Sequence, residues 1–487
     1  MIRNPQALTV AGSDSGGGAG IQADLKAFAM NGVYGASVIT ALTAQNSLGV
    51  SGIHAPEPEF VALQLSAVLD DLSIDAAKTG MLFSHGIIAA IAPLLKAWGG
   101  PLVVDPVCVA TSGHRLLQPD AVEALKTKMA PLAALFTPNR HEAELLVGMD
   151  IRTREDCFEA CRRLLDLGPA AVLLKGGHFE DFAAVTDWLA VRGQEPIPLI
   201  QPKVDTKNVH GTGCSLSAAI AANLARGMEL TRAVTEAQGF LNLGLRASYR
   251  VGRGPGPLNH AAPLVQARAR AEILEELADT GRRLAERPFA AGLLPRFGGN
   301  MAAALPWATR PAQVAAFDGG ITSSLDGHVL LPGCPRYGAA PELGVRLTAA
   351  AAAAGEGEGG LSWALTLRLA ENTLKGLDAA GLRVSAVDHG MDGDEPRGRD
   401  DDLDWNTLNA LRAAGHGPEA DVPRSAGGAD SPADALPDAL IDTSGDFPGP
   451  VVVLLARDAA ELLDKLDAMA GSGKGAAKGS AKSRARG

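Results

Sequence analysis

The chain has 487 residues, 46% of them hydrophobic and 20% charged, with a formal net charge of -11. That length exceeds what one ordinary core buries, so two domains are expected, and the acidic balance argues against a general nucleic-acid binder. No apolar run approaches the ~20 residues of a membrane span, the N-terminal MIRNPQALTVAG lacks a signal-type apolar core, and five cysteines without zinc-ribbon spacing fit a reduced, cytoplasmic protein.

Ala7 to Ala11 reads as a buried strand that ends in the glycine cluster Gly12-Ser13-Asp14-Ser15-Gly16-Gly17-Gly18-Ala19-Gly20. A glycine cluster between a strand and a helix pattern, here Ile21 to Met30, is where an α/β fold exposes backbone to a ligand, although a plain flexible turn has the same composition. Asp24 is expected one turn into that helix, facing the loop, where it could hydrogen-bond a polar ligand. Ala36 to Leu42 reads as a second strand closed by Thr43-Ala44-Gln45-Asn46, and an amide at a strand end can offer a heterocycle both a donor and an acceptor. Alternation continues through Asp75 to Gly80, leading to Met81, and Leu102 to Asp105, leading to Pro106-Val107. It predicts a mostly parallel sheet flanked by helices, with ligands gathered beyond the strand carboxyl ends, where Asp105 falls.

Leu135 to Glu142 is another strand exit, with Asn139 and Glu142 three residues apart. The pair could share a hydrated divalent cation or its phosphates, or could simply start a helix. Cys157 and Cys161, four apart on a helix pattern, read as buried small side chains. Ala171 to Leu174 runs into Lys175-Gly176-Gly177-His178, where the glycines would let a phosphate reach Lys175. The stretch around which the chain is organised is Lys207-Asn208-Val209-His210-Gly211-Thr212-Gly213-Cys214-Ser215, before the small-residue run Leu216 to Leu224. Gly211 and Gly213 free backbone N–H groups, the following helix turns its positive end to the same spot, and Thr212 adds a hydroxyl, which together make an anion hole. Cys214 is expected to have its pKa lowered by the first helical turn and to take a proton beside the anion.

These pieces, from Leu8-Thr9-Val10-Ala11-Gly12-Ser13-Asp14 to Gln22-Ala23-Asp24-Leu25-Lys26, with Ala44-Gln45-Asn46, Lys78-Thr79-Gly80-Met81, Thr137-Pro138-Asn139-x-x-Glu142, Lys175-Gly176-Gly177-His178, Asn208-x-His210-Gly211-Thr212-Gly213-Cys214 and Gly252-x-Gly254-x-Gly256-Pro257-x-x-His260, closely resemble the hydroxymethylpyrimidine/phosphomethylpyrimidine kinases of thiamine biosynthesis, which have a ribokinase-like α/β fold. The resemblance implies phosphorylation of 4-amino-5-hydroxymethyl-2-methylpyrimidine, then of its monophosphate, with MgATP. It implies that Gly12, Asp24, Gln45, Met81 and Val107 border the pyrimidine and that Cys214 accepts the hydroxyl proton. Gly211, Thr212 and Gly213 would stabilise the transferred phosphoryl group, Lys175, Asn139 and Thr212 would meet ATP, and Asp105 with Glu142 would organise Mg2+.

Residues 1-262 are therefore expected to form the kinase domain. Leu264 to Arg287 has a helical pattern that opens a second, smaller α/β domain at 268-470, with a long loop at about 414-448, an acidic stretch at Arg397 to Asp404 and a disordered basic tail at 471-487. Leu294 to Ala302, Pro335 to Ala339, Leu365 to Glu371, Leu382 to Asp388, Leu403-Asp404-Trp405 and Val451 to Asp458 resemble a thiamine-phosphate synthase domain of the archaeal type, fused behind the kinase. Arg296, Asn300, Arg336 and Arg368 are its candidate phosphate contacts. Ser362 and Glu342 stand where that family carries an arginine and a histidine, so the domain is expected to bind more readily than it catalyses. The alternatives are a C-terminal thiamine-phosphate sensor behind a working kinase, and a kinase of pyridoxal-type alcohols, against which the Gln45 and Cys214 pair argues. Small-molecule partners, a homo-oligomer, and no nucleic acid or membrane partner are expected.

Overall fold

Leu8, Val10, Val104, Phe136, Val172 and Leu174 point to one apolar face, while Ala7, Val103, Leu135, Ala171 and Leu173 point to the other. Strands apolar on both sides need helices on both sides, which is the condition for a parallel sheet. The computed structural model describes residues 3–108, 118–176, 184–353, 360–387, 436–443 and 445–481. It divides into two units, Met1–Leu264 and Val265–Gly487.

In the first unit nine strands run in the order β3-β2-β1-β4-β5-β6-β7-β8-β9, namely β1 (Gln6–Asp14), β2 (Tyr34–Asn46), β3 (Gly49–His54), β4 (Ala76–Thr79), β5 (Leu102–Val104), β6 (Leu135–Phe136), β7 (Ala171–Leu174), β8 (Ala184–Val191) and β9 (Ile197–Pro202). Pairing is parallel from β2 through β7, and antiparallel where β3, β8 and β9 close the edges. Helices α1 (Gly20–Met30), α7 (Thr212–Ala225) and α8 (Leu230–Arg246) cover one face, and α2 (Pro58–Asp71), α3 (His85–Trp98), α4 (Pro119–Ala124), α5 (Arg140–Val147) and α6 (Arg154–Asp166) the other. Cys157 and Cys161 are buried in α6 as small side chains, and burial pushes their thiols up to about 11 and about 12. The first strand runs further than the apolar pattern suggested, because the serine and aspartate at its end still pair with Leu42 and Thr43 across a register shift.

The second unit is entered along α9 (Ala262–Ala285), followed by α10 (Ala290–Leu293). Its seven-stranded sheet has the order β14-β11-β10-β15-β18-β17-β16, built from β10 (Met301–Ala304), β11 (Val314–Phe317), β14 (Pro335–Tyr337), β15 (Trp363–Arg368), β16 (Val384–Val387), β17 (Ala439–Asp442) and β18 (Val451–Ala456). All its pairs are antiparallel except β16 with β17. A small hairpin, β12 (Thr322–Ser323) and β13 (Val329–Leu330), stands apart, and α11 (Pro341–Ala353), α12 (Glu371–Ala379) and α13 (Ala459–Ala481) complete the unit.

Two expectations about the second half change. The loop expected at about 414-448 contains β17, whose Ala439 and Leu440 are buried, because four residues with an apolar start suffice to fill the gap beside β18. The tail is helical as far as Ala481; the buried Leu462, Leu463, Leu466 and Met469 anchor the helix, and extending an existing helix avoids the cost of starting one, although the four glycines between Gly471 and Gly479 each oppose it. Residues 482–487, the acidic stretch at 397–404, most of the expected loop, and Gly177 and His178 lie outside the described residues. Among the described residues no helix is long and apolar enough to cross a membrane.

Candidate active site

The carboxyl ends of the parallel strands deliver side chains to one cavity of about 880 Å³. Gly12, Gln45, Met81 and Val107 line it, as do Asp105, Asn139, Glu142, Lys175 and Gly211 to Cys214. Gly12 sits against Met81, so that a Cβ there would overlap the Met81 methyl group. The 880 Å³ falls in the range of drug-sized and cofactor-sized pockets.

The anion loop is built by backbone necessity. Gly211 has φ +79 and caps α7, and a Cβ on it would overlap the Gly18 carbonyl oxygen, so the loop ahead of α7 lies directly on the glycine cluster after β1. Asp14 fastens that cluster, accepting N–H bonds from Gly16 (2.8 Å), Gly18 (3.0 Å) and Ala19 (2.8 Å). Its carboxylate also meets His210 Nε2 at 3.0 Å, and Gln45 Nε2 lies 3.4 Å from the same ring nitrogen. Burial works against the charge on Asp14, yet the His210 bond and the Ala19 and Gly16 N–H groups hold it below the usual carboxylate range. Asp14 and His210 stood inside recognised motifs without an assigned role. Their 196-residue separation hides the pairing from any local pattern.

Lys175 reaches Asp105 Oδ1 at 3.0 Å. Both lie near the start of α7, since a Cβ on Gly213 would stand 3.5 Å from Lys175 Nζ and 3.6 Å from Asp105 Oδ2. Burial opposes the charge on Lys175, but Asp105 and then Glu142 hold its ammonium up at about 12, so it stays a cation. Gly176 donates to Asp187 Oδ1 (2.7 Å) and Gln238 to Asp187 Oδ2 (2.8 Å), placing a buried carboxylate that nothing in the local sequence announced.

Three expectations are corrected here. Asn139 and Glu142 form a capping box on α5, with Glu142 N–H donating to Asn139 Oδ1 (3.0 Å) and Asn139 N–H to Glu142 Oε2 (2.9 Å). The helix-start alternative therefore describes how the pair is held, while both residues still line the cavity. Asp24 does not line the cavity. It is fully buried, accepting from Thr9 Oγ1 at 2.6 Å and from Lys78 Nζ at 3.1 Å, because α1 turns its fifth residue toward the sheet and a buried lysine waits there. Cys214 is not a low-pKa thiol in this site: burial pushes it up to about 11, outweighing the charge of Lys78.

Two cavity carboxylates, Asp105 and Glu142, remain for a divalent cation. Burial, with the charge of Asp105 adding to it, raises Glu142 to about 7 against the pull of Lys175. Crowded oxygen donors that resist ionising together suit a hard cation that keeps several waters. Among the described residues no group of three His, Cys, Asp or Glu side chains could hold a metal unaided.

In the second unit Asn300 is spent on the fold. It is buried, its Nδ2 donates to Phe317 O (2.9 Å), and its Oδ1 accepts from Met301 N (2.9 Å) and Phe317 N (3.1 Å), tying β10 to β11. No atom of it is left for the phosphate contact expected of it, because two strand ends meet there without another partner. Arg296, Arg336 and Arg368 are exposed; Arg336 pairs with Asp318 at 2.5 Å and Arg368 donates to Gly292 O at 3.0 Å. Ser362 and Arg368 bracket β15, roughly 20 Å apart at about 3.3 Å per residue. Glu342 belongs to the Ser362 end, since Gly338 bonds to Val314, the partner of Ala304, and Ala304 bonds to Ser362.

Residues 14–259 match the phosphomethylpyrimidine kinase family, and residues 276–468 match the thiamine-phosphate synthase ThiN family. The chain is 47% identical over 264 residues to the hydroxymethylpyrimidine/phosphomethylpyrimidine kinase of Synechococcus elongatus, covering 53% of this chain and 98% of that one. It is 50% identical over 254 residues to the thiamine biosynthesis bifunctional protein ThiED of Geobacter sulfurreducens, covering 52% of this chain and about half, 51%, of the relative's length. The pyridoxal kinase of Staphylococcus aureus, solved in complex with AMP-PCP and pyridoxal, superposes with a TM-score of 0.50 at 31% identity, over 53% of this chain and 94% of that one.

Proposed function

The chain belongs to the phosphomethylpyrimidine kinase family, and on that footing we propose that its first unit phosphorylates 4-amino-5-hydroxymethyl-2-methylpyrimidine with ATP, and then phosphorylates the monophosphate. The observation that carries this reading is the convergence on one cavity of Gly12, Gln45, Met81 and Val107 with Lys175 and the anion loop Gly211 to Cys214.

The hydroxymethyl oxygen bonds to the γ-phosphorus, the bond from that phosphorus to the bridging oxygen breaks, and ADP leaves. The hydroxyl proton goes to Cys214 Sγ in its thiolate form, the thiol having first lost its own proton to water, while N–H groups of the first turn of α7 and the Lys175 ammonium meet charge spreading over the transferred oxygens. Gln45 pairs with the amino and ring-nitrogen edge of the pyrimidine, and the His210 contact fixes which way its amide faces. Asp105 and Glu142 would hold Mg2+ through its waters, the ion neutralising phosphate charge when bound.

The second unit binds thiamine phosphate or one of its phosphorylated precursors and condenses them slowly or not at all. Glu342 and Ser362 stand where the resemblance leads one to expect a histidine and an arginine, which supports this. Incubating the full chain with the pyrimidine alcohol, ATP, Mg2+ and thiazole phosphate, while following each product separately, tests both halves. Equal or better turnover of pyridoxal side by side would replace the pyrimidine reading, and rapid thiamine phosphate formation would replace the slow-synthase reading.

A further inference from the structure

A buried ion pair lies directly under the reactive end of the cavity, with no part in the steps above. Lys78, on β4, and Asp24, on α1, both have 0% exposed side chains, with Lys78 Nζ 3.1 Å from each carboxylate oxygen. Burying two such charges costs several kcal/mol each and is often no more stable than an apolar pair of similar size, so the fold alone gives little reason for them. Their position gives one. A Cβ on Gly80, which lines the cavity, would stand 3.1 Å from Lys78 Nζ, so a single glycine separates the ammonium from the pocket.

Helix α7, whose first turn carries Cys214, packs on both β4, which holds Lys78, and α1, which holds Asp24, and Cys214 lines the same cavity as Gly80. The Gly20 N–H, at the first residue of α1, adds a small influence in favour of the thiolate. Four charged groups surround Cys214. Asp24 and Asp105 oppose a thiolate, and Lys78 and Lys175 favour one. Lys175 is already paired with Asp105 and would turn to phosphate when ATP binds, which leaves Lys78 as the cation fixed in place throughout the reaction.

We propose that Lys78 is a positioning residue for phosphoryl transfer: held by Asp24 under Gly80, it supplies the positive charge that stabilises the Cys214 thiolate, which forms by losing the thiol proton to water and is re-protonated by the substrate hydroxyl. Burial alone pushes this thiol far above neutrality, and the Lys78 charge is the strongest opposing influence. Asp24 sets how much of that charge the sulfur feels, while Thr9, donating to Asp24 Oδ2, keeps the carboxylate turned to the lysine.

This inference rests on Cys214 being the proton acceptor, but its test reads the thiol itself. In the full-length protein, carboxamidomethylation of Cys214 by iodoacetamide is followed against pH by peptide mass, with the exposed Cys334 as internal reference. Lys78→Met should slow labelling of Cys214 about tenfold at pH 8 and move the rise of kcat to higher pH, one nearby charge being worth a pKa unit or more. Asp24→Asn, which keeps an acceptor for Thr9, should do the opposite. Cys334 should be unchanged in both. A pair that merely packs would loosen the site the same way in either variant, so shifts of the same sign, or none, overturn the proposal. If Lys78→Met does not fold, Asp24→Asn decides alone: faster labelling supports the assignment and unchanged or slower labelling overturns it. Near wild-type turnover in Cys214→Ala, with the labelling shifts intact, would overturn the base assignment while leaving the electrostatic coupling established.

Discussion

The two units treat their polar residues in opposite ways. In the first, side chains from the strand ends and the start of α7 meet at one cavity, with polar groups brought together at 3.0 Å (Lys175 with Asp105) and 3.0 Å (His210 with Asp14). In the second, the buried amide of Asn300 is consumed by strand ends, the three candidate arginines lie exposed, and Ser362 and Arg368 sit at opposite ends of β15. A parallel sheet sends every carboxyl end to one side, so functional side chains from distant segments converge automatically. An antiparallel sheet alternates its ends, and residues near each other in a motif can be delivered to opposite edges.

The sharpest test of that contrast is Cys214→Ala, which removes the proton acceptor and leaves the backbone anion hole. Single-turnover phosphorylation should fall ~10²- to 10⁴-fold while ATP affinity holds. Gly211→Ala places a side chain at φ +79 against the Gly18 carbonyl, and thermal unfolding of the first unit should show a loss of roughly 3 kcal/mol. Asn300→Ala should destabilise the second unit by roughly 2 kcal/mol, the cost of unmated strand groups, with kinase kcat unchanged; a weakened phosphate ligand with undiminished stability would return Asn300 to a binding role. Gln45→Leu should weaken pyrimidine binding by ~1 to 2 kcal/mol, seen as a raised KM with little change in KM for ATP. The smallest effect is expected of Arg368→Ala, which should lower affinity for thiamine phosphate by about 1 kcal/mol in calorimetry and leave stability untouched.

What the sequence made legible follows the same division. Apolar runs such as Ala171 to Leu174 coincide with β7, and the glycine clusters mark where backbone meets ligand, because both signals are local. The structure brings Gly12, Gln45, Met81, Val107, Asp105, Lys175 and Gly211 to Cys214 to one cavity. Asp24 was misplaced because helical phase alone could not say that Lys78, 54 residues on, would claim it. The signal was nonetheless present: Ala76-Ala77-Lys78-Thr79 is a fully buried strand, and a lysine in such a run demands a partner. The Cys214 thiol was misjudged for a related reason. A helix N-terminus is readable in sequence, whereas the desolvation that outweighs it depends on everything packed around the sulfur.

The pairing of Asp14 with His210 also bears on how the protein is made. The glycine cluster leaves the ribosome early, but its partner is 196 residues later, and His210 is itself bridged to Pro257. A nascent chain can pair β1 with β2 while most of the unit is still unsynthesised, yet the phosphate-binding corner has no second wall until almost all of the first unit has emerged. Such long-range closure slows folding more than it weakens the folded state. Slow translation anywhere between the glycine cluster and residue 257 would therefore lengthen the interval in which that cluster is exposed to chaperones and proteases, whereas slow translation deep in the second unit would not.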